Sequence, residues 1–262
     1  MCKGARAVWE CPRFLDLGER GRKPRAAGLT HVLDKGAPID LLASVLDTAG
    51  ELVDVLKVGW GIAYVDRTLK ARVTACHAAG VLVSLGGTLL EIAAAQGRLA
   101  ELRAWAAEQG VDALEVSNGL LGLSPARKAA LVAELAGEFT VLAETGAKDD
   151  QAPVVPGEWV DEMAADLDAG ARWVIAEGRE SGTVGLFGPD GAVREDLVER
   201  IVERIPLDRV IFEAPRKAQQ AWFIRRLGPQ VNLGNVPLEE ILPLETLRLG
   251  LRADTARIPP TP

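Results

Sequence analysis

Histidine and cysteine are scarce in this chain, with two and three copies among 262 residues. Cys2, Cys11 and Cys76 show no metal-ligand spacing. Their odd number argues against a disulfide framework, so reduced thiols in a cytoplasmic setting are expected. Cys76, beside His77, falls in a helical pattern and reads as a small packed hydrophobe. No Ser/His/Asp or Cys/His arrangement is visible, which argues against acyl-enzyme chemistry. Neither His31 nor His77 stands where a catalytic histidine is expected. No apolar run approaches the roughly 18 residues of a membrane span. The polar opening "MCKGARAVWECPRF" has the character of neither a signal peptide nor an anchor. Positive charge is also in deficit. A net charge of −7 and a pI near 5.1 leave no basic surface for nucleic acid or an anionic membrane. Lysine is scarcer still, with 8 copies against 22 arginines, so each lysine that remains invites a reason.

What is present is a repeated unit. A short β-branched run gives way to glycine or a charged residue, and then to an amphipathic helical pattern. The candidate strands are Leu29–Asp34, Val53–Val58, Val81–Leu85, Ala113–Ser117, Thr140–Glu144, Trp173–Glu177, Arg209–Glu213 and Val231–Leu233. Between them, Leu89–Ala107 reads as one helix. "LSPARKAALVAELAG" reads as another, with Ser124 as N-cap, Pro125 at the first position and Gly137 as the stop. Strict β/α alternation predicts a parallel sheet. Eight units in this length fit a closed single-domain (β/α)8 barrel, an α/β TIM barrel, better than an open doubly wound sheet. Residues 1–28 precede the first strand as an N-terminal extension, expected as a loop or a cap over the barrel bottom. Residues 29–262 then hold the barrel and a C-terminal helical segment.

Barrels of this kind bind ligands where the strands end, and here the apolar strands end in charge. In order the ends read Asp34-Lys35-Gly36, Lys57 before Gly59-Trp60-Gly61, Gly86-Gly87-Thr88 and Glu115-Val116-Ser117-Asn118. They continue with Glu144 and Lys148, Glu177 to Ser181, Glu213 with Lys217, and Asn232 to Asn235. Some of these charges can be structural ion pairs. Burying the whole set is costly unless a ligand or metal shares it. Carboxylates without histidine or cysteine partners suit a hard cation, Mg2+ above all, with Asp34, Glu115, Glu144, Glu177 and Glu213 as candidate ligands. Lys35, Lys57, Lys148 and Lys217 are candidate catalytic groups. Arg179 and Ser181, with backbone near Gly86, Gly87, Asn232, Gly234 and Asn235, are candidates for holding an anionic substrate.

The same segments resemble the phosphosulfolactate synthase family: "LDKG" from Leu33, "LKVGWG" from Leu56, "GGTLLEIA" from Gly86, "EGRESG" from Glu177, "IFEAP" from Ile211, "VNLGN" from Val231 and "ETLRLGLRADT" from Glu245. The resemblance runs in order from Leu29 to near the C-terminus. It implies a homo-oligomeric (β/α)8 lyase that adds sulfite to phosphoenolpyruvate with Mg2+, giving (2R)-3-phosphosulfolactate for sulfonate biosynthesis. It also implies that the general acid is a lysine after the fifth strand. The family's Gly-Lys-Lys-Asp reads "GAKD" here, so Lys148 takes that role as the second lysine of the pair. Asn118 stands where the family has an acid, with an expected effect on metal affinity or on the nucleophile accepted. Two other readings stand beside this one. One is a related conjugate addition using a different nucleophile or unsaturated acid. The other is a non-catalytic relative serving stress tolerance or binding.

Overall fold

The computed structural model describes residue 12 and residues 14–17, 20–146 and 154–256. Eight parallel strands close into a barrel in sequence order. They are β1 (Thr30–Asp34), β2 (Val55–Val58), β3 (Leu82–Leu85), β4 (Ala113–Val116), β5 (Thr140–Thr145), β6 (Trp173–Ala176), β7 (Val210–Glu213) and β8 (Leu233–Pro237). Around them lie α1 (Ile39–Ala49), α2 (Ile62–Val65), α3 (Leu69–Ala78), α4 (Gly87–Ala95), α5 (Leu99–Gln109), α6 (Pro125–Ala136), α7 (Pro156–Asp168), α8 (Glu195–Arg204), α9 (Lys217–Leu227) and α10 (Ile241–Arg248). No helix among the described residues is long and apolar enough to cross a membrane.

Side-chain alternation along each strand sorts the residues into two cores. Outward-facing Leu56, Leu114, Ala143, Val174 and Phe212 pack with the helices in the larger cluster. Inward-facing Ala113, Leu142, Trp173, Ile175 and Ile211 form a small apolar floor with Leu29 and Leu82. Two residues further along four successive strands the inward position is a glutamate. Ala113 leads to Glu115, Leu142 to Glu144, Ile175 to Glu177, and Ile211 to Glu213. A period of two therefore raises an acid layer above a dry floor.

The base of the barrel is closed by the described part of the N-terminal segment. Arg20 pairs with Glu245 at 2.9 Å and Arg25 with Asp54 at 3.0 Å. The Lys23 ammonium donates to the main-chain oxygens of Gly50, Ala79 and Gly80, where turns lead into β2 and β3.

Two elements differ from the sequence expectation. The stretch expected as one helix over Leu89–Ala107 breaks into α4 and α5, because Gly97 adopts φ +68 between them. The last strand begins later than expected, at Leu233 rather than Val231. It also bulges, since its register with β1 steps from Thr30↔Leu233 to Val32↔Val236. That extra residue accompanies the left-handed φ of +52 at Asn235.

Candidate active site

The acid layer is threaded by one cation. Lys57 stands inside the barrel from β2, with Nζ 3.0 Å from Glu115 Oε2, 3.1 Å from Glu213 Oε1 and 3.9 Å from Glu144 Oε2. Burial works against the Lys57 ammonium, but Glu115, Glu213, Glu144 and Glu177 outweigh it and hold its pKa well above the ordinary lysine value. Burial likewise opposes ionisation of Glu115, yet Lys57 and His31 prevail and keep that carboxyl below its usual range. Glu177 goes the other way. Burial, reinforced by Glu144 and Glu213, pushes it well above the carboxylate range.

One oxygen each of Glu144, Glu177 and Glu213 lies within 4.8 Å of the others, and all three residues are buried. Four carboxylates thus face one ammonium in a buried layer. An all-oxygen set carrying this excess of negative charge fits a hard divalent cation. The loop after β6 wraps the same groups. The N–H groups of Gly178 and Arg179 both donate to Glu213 Oε2 at 2.9 Å, and Arg179 N–H also donates to Glu177 Oε1 at 2.7 Å. Holding both bonds puts Arg179 at φ +54, a conformation costly for a non-glycine residue and characteristic of functional loops. Ser181 lies further along this loop, with its hydroxyl 2.8 Å from that of Thr183.

The structure brings Lys57, Glu115, Glu144, Glu177 and Glu213 together, with Arg179 and Ser181 on the adjoining loop. It places several other candidates elsewhere. Asp34 is not in the acid layer. One of its oxygens meets the Arg72 guanidinium and the other accepts the N–H groups of Gly36 and Ala37 at 2.9 Å, so it ties the turn after β1 to α3. Lys35 is exposed in that turn, and Lys217 points to Asp254 in the C-terminal segment, 3.1 Å away. Lys148 lies outside the described residues. Asn232 sits at the barrel base, where its amide accepts from Leu29 N–H at 2.9 Å and donates to Leu207 and Val210 oxygens at 3.0 Å. It lies there because β8 starts after it, so "NLGN" opens a strand instead of forming a loop at the mouth.

Gly234 is inside the barrel. A Cβ there would stand 2.9 Å from Ile211 and 3.1 Å from His31 Nδ1, so glycine makes room for the histidine. Asn235 is buried in the bulge. Gly86 gives its N–H to Val58 oxygen at 3.1 Å, which removes it as an anion donor. A Cβ on Gly87 would fall 2.2 Å from Ser117 Oγ. Both glycines therefore serve close packing. Asn118 clasps its own loop, donating to Leu123 oxygen at 2.6 Å and accepting Leu123 N–H at 2.5 Å. Among the described contacts its amide serves the loop rather than the acid layer, so the expected effect on the metal has no support there.

The strand-end reading missed three groups. His31, expected outside the site, is fully buried with Nε2 3.1 Å from Glu115 Oε1. Its signal was its odd parity in β1, which sends it inward like Leu33. Glu91, buried in α4, accepts the Ser117 hydroxyl and the N–H groups of Gly119, Leu120 and Leu121, and so orders the loop after β4. Lys128 is buried in α6. Cys76 is buried in the helix layer, and burial pushes its thiol up to about 12, in keeping with a packing role.

Comparison with known proteins bears on the fold and the family. The fold is shared with 3-keto-L-gulonate-6-phosphate decarboxylase from Vibrio cholerae, at a TM-score of 0.54 and 14% identity, covering 85% of this chain and 97% of that one. Much stronger likeness links it to curated phosphosulfolactate synthases. That of Bacillus subtilis is 37% identical over 92% of this chain and 97% of its own length. That of Methanothermobacter thermautotrophicus is 41% identical over 90% and 94%. The family model for (2R)-phospho-3-sulfolactate synthase matches residues 18–254, and the chain belongs to that family.

Proposed function

We propose that the chain is a carbon–sulfur lyase that adds sulfite to phosphoenolpyruvate, giving (2R)-phospho-3-sulfolactate. The observation that carries this reading is the buried layer of four glutamates around Lys57 at the barrel mouth, in a chain 37–41% identical to phosphosulfolactate synthases. Related additions with another nucleophile, and a non-catalytic role, are not favoured by those relatives. We further propose a cytoplasmic setting, on the odd cysteine count, and a homo-oligomer, on the family resemblance.

The sulfite sulfur attacks the methylene carbon. The double-bond electrons move to the adjacent carbon and into its carboxylate, and that carbon then takes a proton. Glu144, Glu177 and Glu213 would hold Mg2+, which when bound would supply Lewis-acid stabilisation of the charge on the substrate carboxylate. Lys57 stays cationic and offers fixed positive charge to an anionic substrate, while Glu115 and His31 hold it in place. Its proton is gripped by carboxylates, which makes it a poor donor. Lys35 is exposed in the turn after β1, and Lys217 pairs with Asp254. The family resemblance puts the general acid in the segment after the fifth strand, which points to Lys148 to protonate the carbanion. Arg179 can fork onto the phosphate.

The test incubates the protein with phosphoenolpyruvate and sulfite, after chelation and after Mg2+ is restored, and looks for the adduct by mass spectrometry. The expected result is product with Mg2+ and none after chelation. Product undiminished with verified metal removal would exclude the cation, and no product under any condition would exclude the activity. Lys148→Ala should abolish turnover while phosphoenolpyruvate binding, read by calorimetry, persists.

A further inference from the structure

One buried ion cluster lies outside the barrel and takes no part in the chemistry above. Lys128 belongs to α6, and its side chain is fully buried. Its Nζ donates to Glu162 Oε1 at 2.5 Å and Asp166 Oδ2 at 2.7 Å, both in α7, and to the Glu144 main-chain oxygen at 2.7 Å, in β5. An ammonium has three protons to give, and these three acceptors take them. Such a cluster is a poor way to gain stability, since well-packed apolar residues usually match or exceed a buried ion pair. Asp166 shows the tension, because burial pushes its carboxyl up against the pull of Lys128.

The tethers converge on one place. Glu144 belongs to the acid layer. The next residue, Thr145, accepts Glu177 N–H at 3.0 Å. Gly146 then takes φ +135, where a Cβ would stand 2.5 Å from that of Glu177 and 2.8 Å from the Trp159 ring. The end of β5 is thus packed too tightly to shift without moving Glu177. Lys128 fixes this point and ties it to α7, the helix that follows the segment containing Lys148.

We propose that Lys128 is a positioning residue for the reaction. Its ammonium, from outside the barrel, holds the Glu144 main chain against α7 and so sets where the Glu144 carboxylate stands. This rests on the sulfite-addition reading. The role explains why a costly cluster lies under one strand end of the mouth.

The test compares Lys128→Met with the charge-balanced pair Lys128→Met/Asp166→Asn, which keeps the fold testable if the single variant is unstable. Lys23→Met, which removes a lysine tether at the barrel base, controls for general loss of stability. The expected result is that the folded double variant loses roughly ten- to a hundred-fold in kcat, as small misplacements of catalytic groups do. KM for phosphoenolpyruvate should change little, and Lys23→Met should keep wild-type kcat. A double variant with wild-type kcat, or an equal kcat loss in Lys23→Met, would overturn the proposal. Hydrogen exchange reads the same claim without turnover. The Glu177 amide, which donates to Thr145, should exchange faster in the double variant, and unchanged protection would refute positioning. Absence of adduct formation by the wild type would instead count against the sulfite reading.

Discussion

At the scale of single residues, the site depends on groups that could not be buried alone. Glu177 shows this with a definite sign. Its folded pKa lies well above the ordinary 4.5, chiefly through burial and then through Glu144 and Glu213. A raised folded value means the stabilising contribution is complete below the unfolded pKa and is lost as pH rises through the folded one. Glu115 has the opposite shift, so its contribution is present above 4.5 and lost as pH falls through its depressed value. The two limbs separate. In chelator, the wild type should lose thermal stability as pH is raised from about 4.5 toward neutrality. Glu177→Gln, which resembles the protonated acid, should flatten that decline and raise Tm near neutral pH. Melting curves across the range decide it, and identical slopes in the two proteins would show that Glu177 is not the source. Removing Lys57 should do the reverse. Lys57→Met takes this cation from Glu115 and Glu213, and breaking a buried pair this way costs about 3–5 kcal/mol. Denaturant melts measure that loss directly.

At the scale of elements, the sequence was most readable where the period of two was unbroken. The steps from Ala113 to Glu115 and from Ile211 to Glu213 mark strand, face and site together, because an apolar floor residue precedes an acid on the same face. Reading failed where a side chain's partner comes from far along the chain. Asp34 has the same chemistry as the other acids, but its even position in β1 turns it outward with Val32, where Arg72 in α3 meets it. His31 was overlooked because only strand ends were considered, and it faces inward from near the start of β1. Asn232 and Gly234 look like turn residues, and that disguised β8. Gly87 shows how such glycines act at element junctions. It begins α4 directly against the end of β4, and a Cβ there would meet Ser117 Cβ at 2.7 Å as well as Oγ. Gly87→Ala should therefore push α4 from β4 and weaken the Ser117 bond to Glu91, costing about 1–3 kcal/mol as overpacking does. Gly80→Ala meets no atom within 4 Å but also has φ +65, so it reports backbone strain alone. A Gly87→Ala loss in denaturant melts with no change in the protection of Gly119–Leu121 amides would break the proposed link to the loop.

At the scale of the whole molecule, the barrel divides its polar groups between two ends with different work. The mouth carries charges that oppose one another and carry a cost in the free protein. The base carries cations that bind main-chain oxygens. Arg248 is the clearest of these. It is buried, and its guanidinium donates to the oxygens of Pro229, Val231 and Leu29, so it fastens α10 to the start of β1 and to the chain that enters β8. Neighbouring contacts from Arg20 to Glu245 and Gly28 close the same seam between the two ends of the barrel sequence. Conserving the seam does nothing for the acid layer, which lies above the apolar floor of Leu29, Trp173 and Ile211. Arg248→Met should therefore take the guanidinium donor from the Pro229 and Val231 oxygens, while the Leu29 oxygen keeps the Leu233 N–H, and lower Tm markedly, since each buried acceptor left unsatisfied costs about 1–3 kcal/mol. At a temperature where the variant is folded, its kcat and KM for phosphoenolpyruvate should equal those of the wild type. Glu177→Gln should show the mirror image, with Tm held or raised and turnover lost. Measuring both variants by melting and by steady-state kinetics tests the division itself. If Arg248→Met lost kcat in proportion to its Tm, base and mouth would be one mechanical unit, and the floor between them would not insulate the site.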